Sequence, residues 1–147
     1  MFRPLLLFLL LTTCAEFSYA QDKDNDLLVW EDLKAPDTLR LHALDALILK
    51  SIGRNADSAE VLSNMMIDFA RKTGSKNYEG NGLLWLARVY NTQGRPMQSL
   101  DLLELCKKKA LEAEDKQLLS ETYNAFGIVY NSMSNYSLSI ENYFKAL

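Results

Sequence analysis

The chain has 147 residues, of which 48% are hydrophobic and 24% charged, and its formal net charge is -3. This is the composition of an ordinary globular chain with material for one core. The mild acidity argues against a nucleic-acid-binding surface.

Residues 1–20 stand apart from the rest. Arg3 supplies one positive charge, Pro4 to Leu11 is almost wholly leucine, and Ser18-Tyr19-Ala20 closes a more polar stretch. A basic start, a short apolar middle and small residues before the cut make a secretory signal. The apolar run is too short to span a bilayer as a helix. Cleavage is expected between Ala20 and Gln21. Two rivals are an uncleaved N-terminal anchor and lipidation at Cys14, whose preceding Leu11-Thr12-Thr13 resembles a lipoprotein signal with Thr13 where a smaller residue is usual.

Once the signal is removed, Cys106 is the remaining cysteine, so no intramolecular disulfide is available. His42 is the one histidine, and a zinc site of Cys and His is excluded by count. No metal or cofactor is expected.

Residues 21–36 read as a leader with a short helix. Gln21 to Asp26 is polar, and Leu27 to Lys34 carries Leu27, Leu28, Trp30 and Leu33. Ala35-Pro36 ends it, because a residue before proline avoids the α region. Asp37 or Thr38 is the expected cap of the next helix. From there the pattern is helical throughout. Breaks at Gly53-Arg54-Asn55, Thr73-Gly74-Ser75, Gly94-Arg95-Pro96, Ala113-Glu114-Asp115 and Ser134-Asn135 predict helices near 38–51, 56–72, 77–92, 96–113, 117–132 and 136–147. Pro96 suits a first turn, where its missing N–H is not needed. The short links imply antiparallel neighbours.

These helices repeat in pairs. Leu83-x-x-Leu86-Ala87-x-x-Tyr90 precedes Ser99-x-x-x-Leu103, and Tyr123-x-x-Phe126-Gly127-x-x-Tyr130 precedes Ser139-x-x-x-Tyr143. A worn copy reads Ala46-x-x-Leu49, then Ser58-x-x-x-Leu62, with Asp45 where an apolar residue is expected. In all three copies the small residue and the serine lie 12 apart, and Gly53-Arg54 and Gly94-Arg95 occupy corresponding turns.

The pattern resembles the tetratricopeptide repeat (TPR) family. The resemblance implies an all-α fold, a right-handed α-solenoid of antiparallel helix pairs, divided near 37–76, 77–116 and 117–147. The spacing of 40 to 41 residues exceeds the usual period of about 34, so longer second helices, or longer links after them, are expected. The last pair ends at Leu147 without a polar capping element. Tyr130, Ile140, Tyr143 and Phe144 are therefore expected to be partly uncovered, as in the N-terminal part of a longer protein or at an end that docks on a partner.

No residue set for catalysis emerges. Gly94-Arg95-Pro96 lacks the rest of a phosphate loop. His42 lies inside a predicted helix, and no nucleophile is paired with it. Glu112, Glu114 and Asp115 read as a solvated helix end. Lys107-Lys108-Lys109 reads as outer surface, since consecutive helical residues point about 100° apart. Cys106 reads as a packed thiol. Asn135-Tyr136-Ser137 is a glycosylation triplet, relevant to a eukaryotic secretory route.

By the resemblance, the first helix of each pair lines a ligand groove. Asn81, Leu84, Arg88 and Asn91 would face it, followed by Glu121, Asn124, Ile128 and Asn131. The asparagines can donate to and accept from a peptide backbone, and Arg88 can pair with a carboxylate. The function implied is an exported, non-enzymatic scaffold for a protein or peptide. Its location would be the periplasm or the outer face of a bacterial membrane. A second reading rests on similarity to the extracytoplasmic N-terminal TPR regions of bacterial membrane signalling proteins, including the "PDTLRL" start at Pro36. There the partner would be a missing C-terminal region or another signalling component. The output would be a histidine kinase, a nucleotide cyclase or a DNA-binding regulator. Membrane contact would come through the signal, a lipid anchor or a missing segment.

Overall fold

The computed structural model describes residues 25–147. Cys14, Ala20, Gln21 and the first part of the leader lie outside the described residues. Seven helices and no strand are found among those described. They are α1 (Asn25–Glu31), α2 (Asp37–Ile52), α3 (Ala56–Thr73), α4 (Lys76–Thr92), α5 (Pro96–Glu112), α6 (Lys116–Ser132) and α7 (Tyr136–Lys145).

Local chemistry explains the boundaries. Pro96 opens α5 at its first turn. Asn55 and Asp115 accept from the backbone N–H of Ser58 and Leu118 at 3.0 and 2.9 Å, and Asn135 accepts from Leu138 at 3.3 Å. Each such bond satisfies a donor that the first helical turn leaves open. The expected cap at Asp37 or Thr38 is corrected: Pro36 precedes the helix without a side-chain bond. Asp37 instead sits inside the first turn, where its charge faces the positive end of the helix dipole. The short leader helix ends at Glu31, so Leu33 falls outside it and is 82% exposed.

The turns also repeat, with one exception. Gly74 and Glu114 hold left-handed backbones in the links after α3 and α5, at φ of 72° and 53°. Gly94 and Ser134 do the same after α4 and α6, at 73° and 59°. Gly53, at the corresponding turn of the first pair, has φ of -93°. It matches Gly94 in sequence and differs from it in conformation.

The expected long links are absent. Only residues 74–75 and 113–115 separate successive pairs. The long repeat resides in the helices: α2 to α6 each have 16 to 18 residues, first and second helices alike.

Packing is sequential. Each helix meets the next, and the first helices also meet one another, α2 with α4 and α4 with α6. No such contact joins α3, α5 and α7. The inner side of the stack is therefore built from first helices.

Two buried clusters follow the pairing. One gathers Leu41, Leu44, Ile48, Met66 and Ala70, with Trp30 and Phe69 beside them. The other runs from Ile67 through Leu84, Ala87, Leu103 and Cys106 to Phe126 and Val129. Cys106 is buried, with Sγ 3.2 Å from the Gly80 carbonyl oxygen. Burial pushes its thiol up to about 11, against the lowering effect of its hydrogen bond with Thr122. This is a packed sulfur. Ser99 Oγ donates to the Ala87 carbonyl at 2.7 Å, and Ser139 Oγ to the Gly127 carbonyl at 2.8 Å. In the second and third pairs the 12-residue spacing is thus a hydrogen bond between the two helices of a pair, whereas Ser58 makes no such bond to Ala46.

At the N-terminal end, α1 covers the first cluster. Trp30 packs edge-on to Phe69, and the Arg40 guanidinium lies over both rings. At the other end, Ile140, Tyr143 and Phe144 are exposed and Tyr130 is half-buried, so all four are partly uncovered as expected.

Candidate functional site

The inner side carries an open groove of about 380 Å³. Its floor is α4, where Asn77, Asn81, Leu84, Trp85 and Arg88 recur at helical spacing on one face. His42, Asp45 and Tyr78 form one wall; Asp115, Gln117, Leu118 and Glu121 form the other.

The polar groups are cross-linked. Trp85 Nε1 donates to Asp45 Oδ1 at 2.6 Å, joining α4 to α2. The Arg88 guanidinium lies 4.7 Å above the Trp85 ring and 3.7 Å from Glu121 Oε2. Burial pushes the Arg88 pKa down, while Glu121, Cys106 and Asp45 act to raise it; a guanidinium remains charged under such shifts. Gln117 donates to Glu121 Oε1 at 3.2 Å, and Asn77 donates to Asp115 Oδ2 at 3.1 Å. The hydrogen bond from the Leu118 backbone, then that from Asn77, holds the Asp115 carboxyl below its usual range. Tyr78 stands edge-on to His42, and burial together with the Asp45 charge raises its phenol pKa. It is therefore a neutral donor at physiological pH. The Asn81 carboxamide has no partner among the described residues and faces the groove.

The expected groove positions divide in two. Asn81, Leu84, Arg88 and Glu121 line the cavity. Asn91, Asn124, Ile128 and Asn131 do not. Asn91 Oδ1 accepts from Ser132 Oγ at 2.9 Å, so it ties the end of α4 to the end of α6. Asn124, Ile128 and Asn131 are exposed further along α6. Arg88, expected to meet a ligand carboxylate, faces the Glu121 carboxylate at 3.7 Å.

Asp45, Trp85, Tyr78, Asn77, Asp115 and Gln117 also line the groove, beyond the positions expected from the repeat pattern. A signal existed for two of these. The 40-residue register that relates Asn81 to Glu121 also relates Asn77 to Gln117, one turn earlier. Asp45, read as a defect of the first repeat, is the acceptor of the Trp85 indole. Along α5, Lys108 is exposed as expected, while Lys107 and Lys109 are partly exposed and ion-paired. Lys107 pairs with Glu104, while Lys109 Nζ lies 2.9 Å from Glu79 Oε2. Arg71 Nε holds the other oxygen of this buried carboxylate at 2.9 Å.

A family model described as the SusR N-terminal TPR domain matches residues 44–146. The chain belongs to this TPR family. Its repeats are TPR units, and TPR domains are protein-interaction scaffolds. No curated protein and no solved structure matches the chain significantly. Among the described residues, no helix of this TPR domain is long and apolar enough to cross a membrane.

Proposed function

We propose that the chain is an exported scaffold that binds a protein or peptide in the groove of α2, α4 and α6, without catalysis. The observation that carries this reading is the unpartnered Asn81 amide on a floor bounded by two neighbouring first helices. An amide there can bond an extended backbone in both directions. We assign residues 1–20 to the signal, 21–36 to the leader and 37–147 to the repeats. The basic start, leucine run and Ser18-Tyr19-Ala20 support export and cleavage before Gln21.

The test is to pan a random-peptide display library against the full chain and measure the selected peptides on two variants. Asn81→Trp fills the groove, whereas Lys108→Trp alters the exposed surface of α5. Binding is expected to fall at least ten-fold in the first and to persist in the second. The reverse pattern removes the groove from the proposal. N-terminal sequencing of the exported protein should begin at Gln21; a lipid label abolished by Cys14→Ala would replace cleavage at Ala20 with anchoring.

A second reading is supported by the family description, which places such repeats at the N-terminus of SusR. In it this chain is the sensory or assembly region of a longer bacterial membrane signalling protein. An apolar stretch of about 20 residues encoded downstream of Leu147 is the expected feature. A stop codon there would defeat this reading and leave the scaffold intact.

A further inference from the structure

The charge balance of the groove is informative about its ligand. Asp45, Asp115 and Glu121 contribute three negative charges against the single positive charge of Arg88. The single cation is already engaged, stacked on Trp85 and facing Glu121. A ligand carboxylate entering the groove would have to displace Glu121 and approach the remaining acids. A cationic group meets the opposite situation. Asp45 Oδ2 accepts no hydrogen bond among the described residues. An ionised carboxylate has about four acceptor sites, so Asp115 and Glu121 also keep capacity beyond their present bonds. The half-buried Tyr78 and Trp85 rings, backed by the buried Leu84 and Leu118, offer apolar surface for the methylene stem of a lysine or arginine, which packs along such surface while its head stays polar.

We infer that the groove recognises a basic peptide segment, taking a lysine or arginine side chain between the acids of its two walls and discriminating against acidic peptides. The inference rests on the groove reading above and adds its charge selectivity. The carboxamide of Asn81 positions the backbone of the segment, and the carboxylates select the side chain. The acids lie on elements of successive repeats, so stacking of the repeats creates the selectivity.

The experiment uses the same display library and the full chain. Peptides whose binding Asn81→Trp blocks are sequenced and compared with the input library. Enrichment of lysine or arginine and depletion of aspartate and glutamate are expected. Affinity for a selected peptide should fall about ten-fold from 50 to 500 mM salt, because both groups remain partly in water. It should also fall at least ten-fold in Glu121→Lys and less in Glu121→Gln, with melting temperature checking that each variant is folded. If Glu121→Lys does not fold, Glu121→Gln and the salt series carry the measurement. Groove-blocked peptides that are neutral or acidic, or affinity indifferent to salt and to Glu121→Gln, overturn the charge selectivity and leave the groove standing. Failure of Asn81→Trp to block any selected peptide, or failure to select any, counts against both.

Discussion

The Trp85 indole donates its N–H to the Asp45 carboxylate at 2.6 Å, across 40 residues of chain. The bond joins the first helices of two successive pairs and fixes the ring on which Arg88 lies. Asp45→Ala removes the acceptor from a half-buried indole and is expected to cost about 1.5 kcal/mol, the lower end for a hydrogen bond to a charged group. Asp45→Asn retains an acceptor and should lose less. Urea unfolding measures both, and an unchanged midpoint in Asp45→Ala would show that the bond contributes nothing.

Glu79 makes stability dependent on acid. Burial alone would raise its pKa, but hydrogen bonds from Arg71 and Lys109, reinforced by their charges, hold it below the ordinary 4.5. Above pH 4.5 the carboxylate is ionised in folded and unfolded chains, and the bonds contribute in full. Below 4.5 the unfolded chain takes up the proton first, so the contribution fades until the folded carboxyl has also titrated. Glu79→Gln should therefore lower stability at pH 7 and flatten its decline below pH 4.5. Parallel acid limbs for parent and variant would contradict this.

Gly127 lets Tyr143 lie directly on α6. A Cβ built at Gly127 would stand 2.5 Å from Tyr143 Cε1, well inside contact distance. Gly127→Leu should cost about 1–3 kcal/mol through overpacking of α6 against α7. Because the Tyr143 ring is partly exposed, Tyr143→Ala should recover part of the loss. A double-mutant cycle with no coupling between the two positions would remove this contact as the cause.

Ser134 adopts the left-handed backbone that Gly94 adopts 40 residues earlier. A side chain in that region costs about 1–2 kcal/mol, and Ser134→Gly relieves it while adding unfolded-state entropy. The net expectation is a gain of roughly 0.5–1 kcal/mol in thermal or urea unfolding. A loss of stability would mean that the serine side chain offsets the strain.

The helical repeat was legible because its causes are local. Glycine, proline and asparagine punctuate the chain wherever a helix must stop or start, and the observed helices α2 to α6 lie within a residue or so of those breaks. The serines at 12-residue spacing marked a bond between two helices joined by a short link, whose geometry the link itself constrains. The groove was legible only in part. Asn81 and Glu121 follow from the register, but the engagement of Arg88 and the diversion of Asn91 to Ser132 do not. Those contacts form between successive pairs, where a small rotation of one helix decides which side chains meet. The sequence by itself determined the elements and their repeat through backbone propensity and spacing. Only the tertiary structure decided that Asp45 meets Trp85 and that three acids share one groove, because stacking brings together residues that no local rule relates.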